Sequence, residues 1–393
     1  MELPNTGADY VDLKNIDLYV RGQLKKADGT SLEKAESVVL TNNALHSLFE
    51  TVTVLVGHNQ QEIQMNNYLY KAYIRQLMHT KTTSPACQEH GFTDDSKVAK
   101  AEEVTMGLTR YPWTSESKVA EFLGPTYIDV FQTDGYLMPA TPLRITFKRS
   151  REAFYLTTAV ANKDTAYKFF IDKIGLYVPT VKVAPFMTPL LEMQTDESPA
   201  RYRFDSIDAR QFPLPANTTT RTFARLYQGT LPTRIAIAFY RQDSFLGTRD
   251  RASLLTADLD LKQMQLAING LVVQQYDVDI SKNIYMEPFR RLTDWLGVTD
   301  GNFPFDLKQF RQGVSFFTFD LMENCSSNTE CDKDSLLTGF AELSLQFGFD
   351  VPTDCVMMVF AIFPDTLDIT KQKALRYNRV IVLSLLVIHF DKE

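Results

Sequence analysis

Three groups of residues in this sequence have the types and spacing to do chemistry, if the fold brought them together. Glu330, Asp332 and Asp334 crowd one stretch and have the oxygen ligands that calcium takes. They lack the evenly spaced ligands and central glycine of a calcium loop, so a solvated acidic loop is expected there. Cys325 and Cys331 share that stretch, where a disulfide or a metal pair is the alternative reading. Cys87 and Cys355 lie far away, no CxxC pair exists, and no two histidines stand three to five residues apart, so no zinc site is expected. Four cysteines scattered through 393 residues read as free thiols of a reducing compartment. The third group is basic: Arg144, Lys148, Arg149 and Arg151, which reads as the solvated face of a strand. A net charge of −7 argues against a surface built to neutralise phosphate, and no sequence-specific nucleic-acid partner is expected.

The remaining candidates are weaker still. His46 sits between Leu45 and Leu48 and reads as a structural histidine more than a general base. No phosphate-binding loop (GxxxxGK[ST]), dinucleotide fingerprint (GxGxxG), zinc-protease HExxH or nucleophile elbow (GxSxG) is present. The sequence therefore predicts no catalytic, cofactor-binding or metal-ligating residue, no cofactor, and a protein that is not an enzyme. Asn217-Thr218-Thr219 and Asn324-Cys325-Ser326 match the glycosylation sequon, but the opening residues lack the pattern of a secretory signal, so both read as coincidence and secretion is not expected. The longest apolar run, Val380 to Ile388, has the length of a buried strand and is too short for a bilayer, so no membrane span is expected.

With no constellation to position, the periodicities carry the reading. Val52, Val54 and Val56 alternate with Thr51, Thr53 and Leu55, which lays one face of a strand on a core. Gly57-His58-Asn59 reverses the chain, and Leu69, Tyr73, Ile74 and Leu77 then form one apolar stripe of a short helix. The same order returns about two hundred residues later. Leu259 to Ile268 reads as a strand, Asn269-Gly270 as a hairpin turn, and Leu271 to Gln275 as the returning strand. Tyr285 to Leu296 follows as a helix with Pro288 in its first turn, where proline is tolerated. Few letters are shared, so the repeat is one of pattern, and it points to two related domains. A length of 393 residues suits two such units.

Between these landmarks the chain reads as short strands. Ile16, Leu18 and Val20 share one face; Ala120 to Phe131, Leu143 to Ser150 and Phe169 to Val178 follow. Polar segments at 79–117 and 323–338 read as long decorated loops. Pro179, Pro185, Pro189 and Pro199 mark a joint, which divides the chain into residues 1–185, a linker at 186–199, and residues 200–393. Beyond it come strands at Ala200 to Phe204, Arg221 to Leu226, Thr233 to Tyr240, Gly313 to Leu321, Gly339 to Phe349 and Asp354 to Ile362. No long helix separates these strands, so the expectation is all-β: antiparallel sheets packed as sandwiches, with the jelly roll the commonest form at this size.

Five segments, in order, resemble the major capsid proteins of Polinton (Maverick) elements and the related adintoviruses. They are Asp9-Tyr10-Val11-Asp12-Leu13, Asn43 to Phe49, Asn67 to Tyr73, Gly124 to Phe131 and Gly229-Thr230-Leu231-Pro232. The resemblance implies a double jelly roll, two eight-stranded sandwiches side by side. It also implies a homotrimer with a pseudo-sixfold outline, contacts to neighbouring capsomers and a penton protein, and an icosahedral virion shell around double-stranded DNA. The long loops would then be outward towers or clasps between subunits, and the chain would be made in the host cytoplasm or nucleus. Two alternatives stay open. One is a minor capsid or host-co-opted sandwich that binds a partner; the other is a carbohydrate-active sandwich enzyme, which needs a cleft lined by converging acids and aromatics.

Overall fold

The structure, a computed structural model, describes residues 1–3, 9–34, 36–79, 89, 91, 111–158, 165–184, 186–248, 253–279, 282, 284–296, 307–311, 313–322, 336–348, 351–370 and 372–378. The acidic cluster Glu330, Asp332 and Asp334, the cysteines Cys87, Cys325 and Cys331, most of both long polar segments and the apolar run Val380 to Ile388 lie outside them.

The first sandwich holds β1 (Glu2–Leu3), β2 (Tyr10–Val11), β3 (Asp17–Lys26), β4 (Val38–Leu40), β5 (Phe49–Val56) and β6 (Gln61–Met65), followed by a helix at Tyr68–His79. It continues with β7 (Val119–Pro125), β8 (Leu143–Arg149), β9 (Leu156–Thr158), β10 (Tyr167–Tyr177) and β11 (Thr180–Val181). One sheet runs β1-β8-β5-β6 and the facing sheet β10-β3-β7, while β2 with β11 and β4 with β9 form two-stranded ladders. Every pairing is antiparallel. Alternation explains the choice of strand: in β3 Leu18, Val20 and Leu24 are buried while Asp17, Tyr19 and Arg21 are only partly so.

The second sandwich is built the same way. It holds β12 (Ala200–Leu214), β13 (Thr220–Thr230), β14 (Arg234–Arg241), β15 (Leu261–Ile268) and β16 (Leu271–Asp277), then a helix at Met286–Trp295. β17 (Phe317–Asp320), β18 (Thr338–Phe347), β19 (Cys355–Ile369) and β20 (Leu375–Asn378) follow. The sheets run β12-β19-β14-β17 and β13-β18-β15-β16, with β20 added beside β19. Numbered one to eight from β12 to β19, the strands read 1-8-3-6 and 2-7-4-5, a jelly roll. The first sandwich follows the same scheme from its third strand: β3, β5 and β6, the helix, then β7, β8 and β10 take positions three to eight. Position two holds only β1, and no described strand holds position one.

Three sequence expectations change in the fold. The strand expected from Ala120 to Phe131 ends at Pro125, and Asp129–Phe131 forms a 3-10 turn, since proline interrupts the ladder. Gly57 to Asn59 leads first into β6, whose polar Gln61, Glu62 and Gln64 hide its alternation. The expected joint contains a helix at Thr188–Glu197 with Pro189 in its first turn.

The two longest strands of the second sandwich were read too short. β12 and β19 pair over 15 residues, from Ala200 opposite Ile369 to Leu214 opposite Cys355. The expected strand ends at Ile362, two residues before Pro364. That proline lies between the last partner in β14 and the first in β20, where β19 is paired on one side only and a missing N–H costs least. One end of each strand serves each core: Tyr202, Phe204, Leu367 and Ile369 pack into the first, while Ile207, Leu214, Met357 and Val359 pack into the second.

The Asn269-Gly270 turn forms as expected, with φ of 51° and 81°. Asn269 also holds the neighbouring strand, its Oδ1 accepting from Phe340 N at 3.0 Å. Replacing Asn269 with Ala removes both the tolerance of positive φ and this bond. An Asn269→Ala protein is expected to lose about 1–3 kcal/mol in urea unfolding, and a loss within experimental error would show that the turn is held by its flanking strands alone.

Candidate functional site

No residue among those described gathers into a catalytic arrangement. Among the described residues no group of three His, Cys, Asp or Glu side chains is placed to hold a metal ion. Two surface clefts are small. One, about 290 Å³, lies between β1, β8 and the β5–β6 turn and includes Glu2 and His58; the other, about 230 Å³, lies between the two halves and includes Glu50, Tyr70 and Phe245. Each contains a single carboxylate, so neither offers the acid pair of a glycosidase.

The sequence candidates take structural positions. His46 is fully buried, its Nδ1 2.9 Å from Tyr68 Oη and its ring beside Tyr127. Arg144 and Lys148 lie on the exposed face of β8 and pair with Glu2 and Glu50, each at 3.6 Å. Arg149 instead turns inward and donates to Phe169 O at 2.7 Å and Tyr155 Oη at 3.2 Å. Cys355 is buried as a free thiol, and burial pushes its pKa up to about 11.

What the fold does concentrate is a polar node at the junction of the two sandwiches, which sequence reasoning did not find. The helix Tyr68–His79 is buried on all sides through Leu77. Leu69, Tyr70, Tyr73, Ile74 and Leu77 enter the second core, while Tyr68 and Ala72 enter the first. Its polar residues are therefore trapped between two apolar masses. Arg75 donates to Asp129 Oδ1 at 3.0 Å and to the carbonyl of Asp205 in β12. Lys71 Nζ lies 4.0 Å from Asp129 Oδ2, which also accepts from Ile207 N at 3.2 Å. Asn67 completes the seam, donating to Ala209 O at 3.2 Å. Arg75 and Asp129 are 4% and 6% exposed, so little water screens them. The sequence signal was two cations, Lys71 and Arg75, four residues apart in a helix expected to bury one apolar stripe.

Surfaces suited to assembly lie elsewhere. On β16, the outer strand of its sheet, Leu271, Val272 and Val273 are 74%, 55% and 51% exposed in one run. The corresponding strand of the first sandwich, β6, presents Glu62 and Gln64 instead. Near the inter-sandwich helix Phe186 and Met193 are also exposed. Contiguous apolar residues on an outer strand mark contact surfaces more often than free ones.

No protein-family model and no curated protein matches this sequence. Solved structures do match its fold. The Sputnik virophage, determined by cryo-EM, superposes with a TM-score of 0.59 at 11% identity, covering 96% of this chain and 84% of that one. The PBCV-1 virus capsid gives 0.56 at 12% identity, over 97% and 92%. The mavirus major capsid protein gives 0.52 at 10% identity, over 95% and 84%. At such identities the likeness concerns the fold, and that fold is the double jelly roll.

Two outcomes are expected of the buried groups. Asp129→Ala leaves two buried cations without their carboxylate and should cost about 3–5 kcal/mol; calorimetry should show a lowered or split transition, and an unchanged one would mean that the node adds nothing. Cys355 should resist alkylation at pH 8 in the folded protein, as read by peptide mapping. The raised thiol pKa, with the buried hydroxyls of Tyr70, Tyr227 and Tyr240 also pushed well above their ordinary value, favours the neutral forms in the fold. That stability is complete below the unfolded thiol value of 9 and is lost as pH rises through about 11.

Proposed function

We propose that this protein is a major capsid protein of the Polinton (Maverick) and adintovirus type. Three chains form a pseudo-hexameric capsomer, and capsomers tile an icosahedral shell around double-stranded DNA together with a penton protein. Its role is structural, it uses no cofactor, and it resides in the virion after synthesis in the host cytoplasm or nucleus.

The observation that carries this reading is the recurrence of one strand scheme, 1-8-3-6 over 2-7-4-5 in the second sandwich and 8-3-6 over 2-7-4-5 in the first, in two sandwiches fixed to each other by a buried seam. Two similar units held at one angle let a three-fold assembly present six similar edges, so one polypeptide can fill a hexagonal position. A flexible pair of domains would not define that outline. The apolar run on β16 is a surface such an assembly would cover.

Light scattering on the eluting protein tests the reading directly. A trimer, three times the 44.8 kDa chain, is expected at micromolar concentration. Leu271→Asp with Val273→Asp should shift it to monomer without altering the circular dichroism spectrum. A wild-type monomer at high concentration, with no capsomer outline in negative-stain micrographs, would overturn the assignment.

A further inference from the structure

The two sandwiches differ at one flank. In the second, β12 pairs with β19 over 15 residues and β13 pairs with β18 from Thr220–Gln346 to Thr230–Thr338. In the first, the strand equivalent to β19 is β10, and among the described residues its only long partner is β3. The strand equivalent to β18 is β8, and β1 covers it only from Leu143 to Ile145. Among the described residues no strand pairs with Thr146 to Arg149 or with the outer edge of β10, which lie on the same side.

The core records the difference. In the second sandwich the inward residues Leu343, Leu345, Phe347, Val359 and Phe363 are buried. In the first, Phe147, Ile171 and Leu176 pack against the core yet are only half-covered. The backbone records it too. A Cβ on Gly22 of β3 would collide with the carbonyl oxygen of Phe170, so that carbonyl points toward β3. Carbonyls alternate along a strand, so that of Phe169 points to the open edge. There Arg149 donates to it at 2.7 Å, in the place where a neighbouring strand would put an N–H.

The outer face beside this edge is basic. Lys168 and Lys173 lie over the rings of Phe170 and Tyr19 and make no described ion pair, and Arg21 and Lys25 of β3 share that face, against two exposed carboxylates: Asp172, at the bulge in the β3 pairing, and Glu121, which accepts from Tyr19 Oη. We infer that this flank is a strand-acceptor groove, which takes an extended segment of another polypeptide, antiparallel to β10, with apolar residues turned inward at every second position and acidic residues turned outward. The inward residues would complete the cover of Phe147, Ile171 and Leu176, and the acids would face Lys168 and Lys173. Main-chain bonds to the edge would supply affinity, and the alternating side chains specificity. The inference is independent of capsid assembly, since it concerns one edge of one chain.

Hydrogen exchange read by mass spectrometry tests it on the full chain. In dilute protein, amides of Tyr167–Tyr177 should exchange about 100-fold faster than those of Cys355–Ile362, which lie in a strand paired on both sides. An eleven-residue peptide alternating Val with Glu should slow exchange over Tyr167–Tyr177 and Thr146–Arg149 by about tenfold. A Val–Lys peptide should have little effect, and Lys168→Glu with Lys173→Glu, outer-face changes that leave the fold intact by circular dichroism, should abolish the protection. Three results would overturn the inference: β10 as protected as β19 in the free protein, no protection by the Val–Glu peptide at saturation, or protection that rises with protein concentration alone. The last would make a second copy of this chain the occupant.

Discussion

The structure depends on a carboxylate that two halves of the chain share. Asp129 belongs to the first sandwich, yet its oxygens take a guanidinium N–H from Arg75 and the amide of Ile207 in the second. Removing such charges from water is costly, and a buried ion pair is a poor source of net stability. Its value lies in direction. An apolar seam can slide, whereas a carboxylate bonded to a side chain of one half and a backbone N–H of the other has few equivalent placements. The helix Tyr68–His79 makes the arrangement possible, because it feeds both cores and carries Arg75 and Lys71 to the place where they meet.

The through-running strands reinforce that constraint by other means. β12 and β19 keep one register over 15 residues, and their two ends lie in different cores. A hinge between the sandwiches would have to break this ladder, so the halves form a stiff pair. Such stiffness suits the proposed shell-forming role, since an error in the angle within each subunit would accumulate around a closed ring. The strand scheme shared by both halves would suit a duplicated plan, but the two copies differ in structure. The second sandwich fills all eight positions and exposes an apolar outer strand; in the first no described strand holds position one, and the outer strand β6 is polar.

Some of this was legible in the letters. Strict alternation in Leu143–Arg149 and the Asn269-Gly270 turn identified strands and a hairpin, because periodicity and positive φ act locally. Pro288 in a first turn likewise fitted the helix Met286–Trp295. β6 was missed because its exposed face is polar; β12 beyond Phe204 carries Asp205, Asp208, Arg210 and Pro213, and β19 beyond Ile362 carries Pro364, Asp365 and Asp368, which obscure their alternation. Each of these is rescued by a partner distant in sequence. Arg75 and Asp129, 54 residues apart, gave no joint signal at all.

The sequence alone determined an all-β chain with a recurring strand–turn–helix, because alternation and turn chemistry are properties of neighbours. The tertiary structure decided how the two halves meet, which face of the helix belongs to which core, and where one sandwich stops short of the other. Those depend on contacts between residues tens to hundreds of positions apart, and nothing in a local period encodes the geometry of such a meeting.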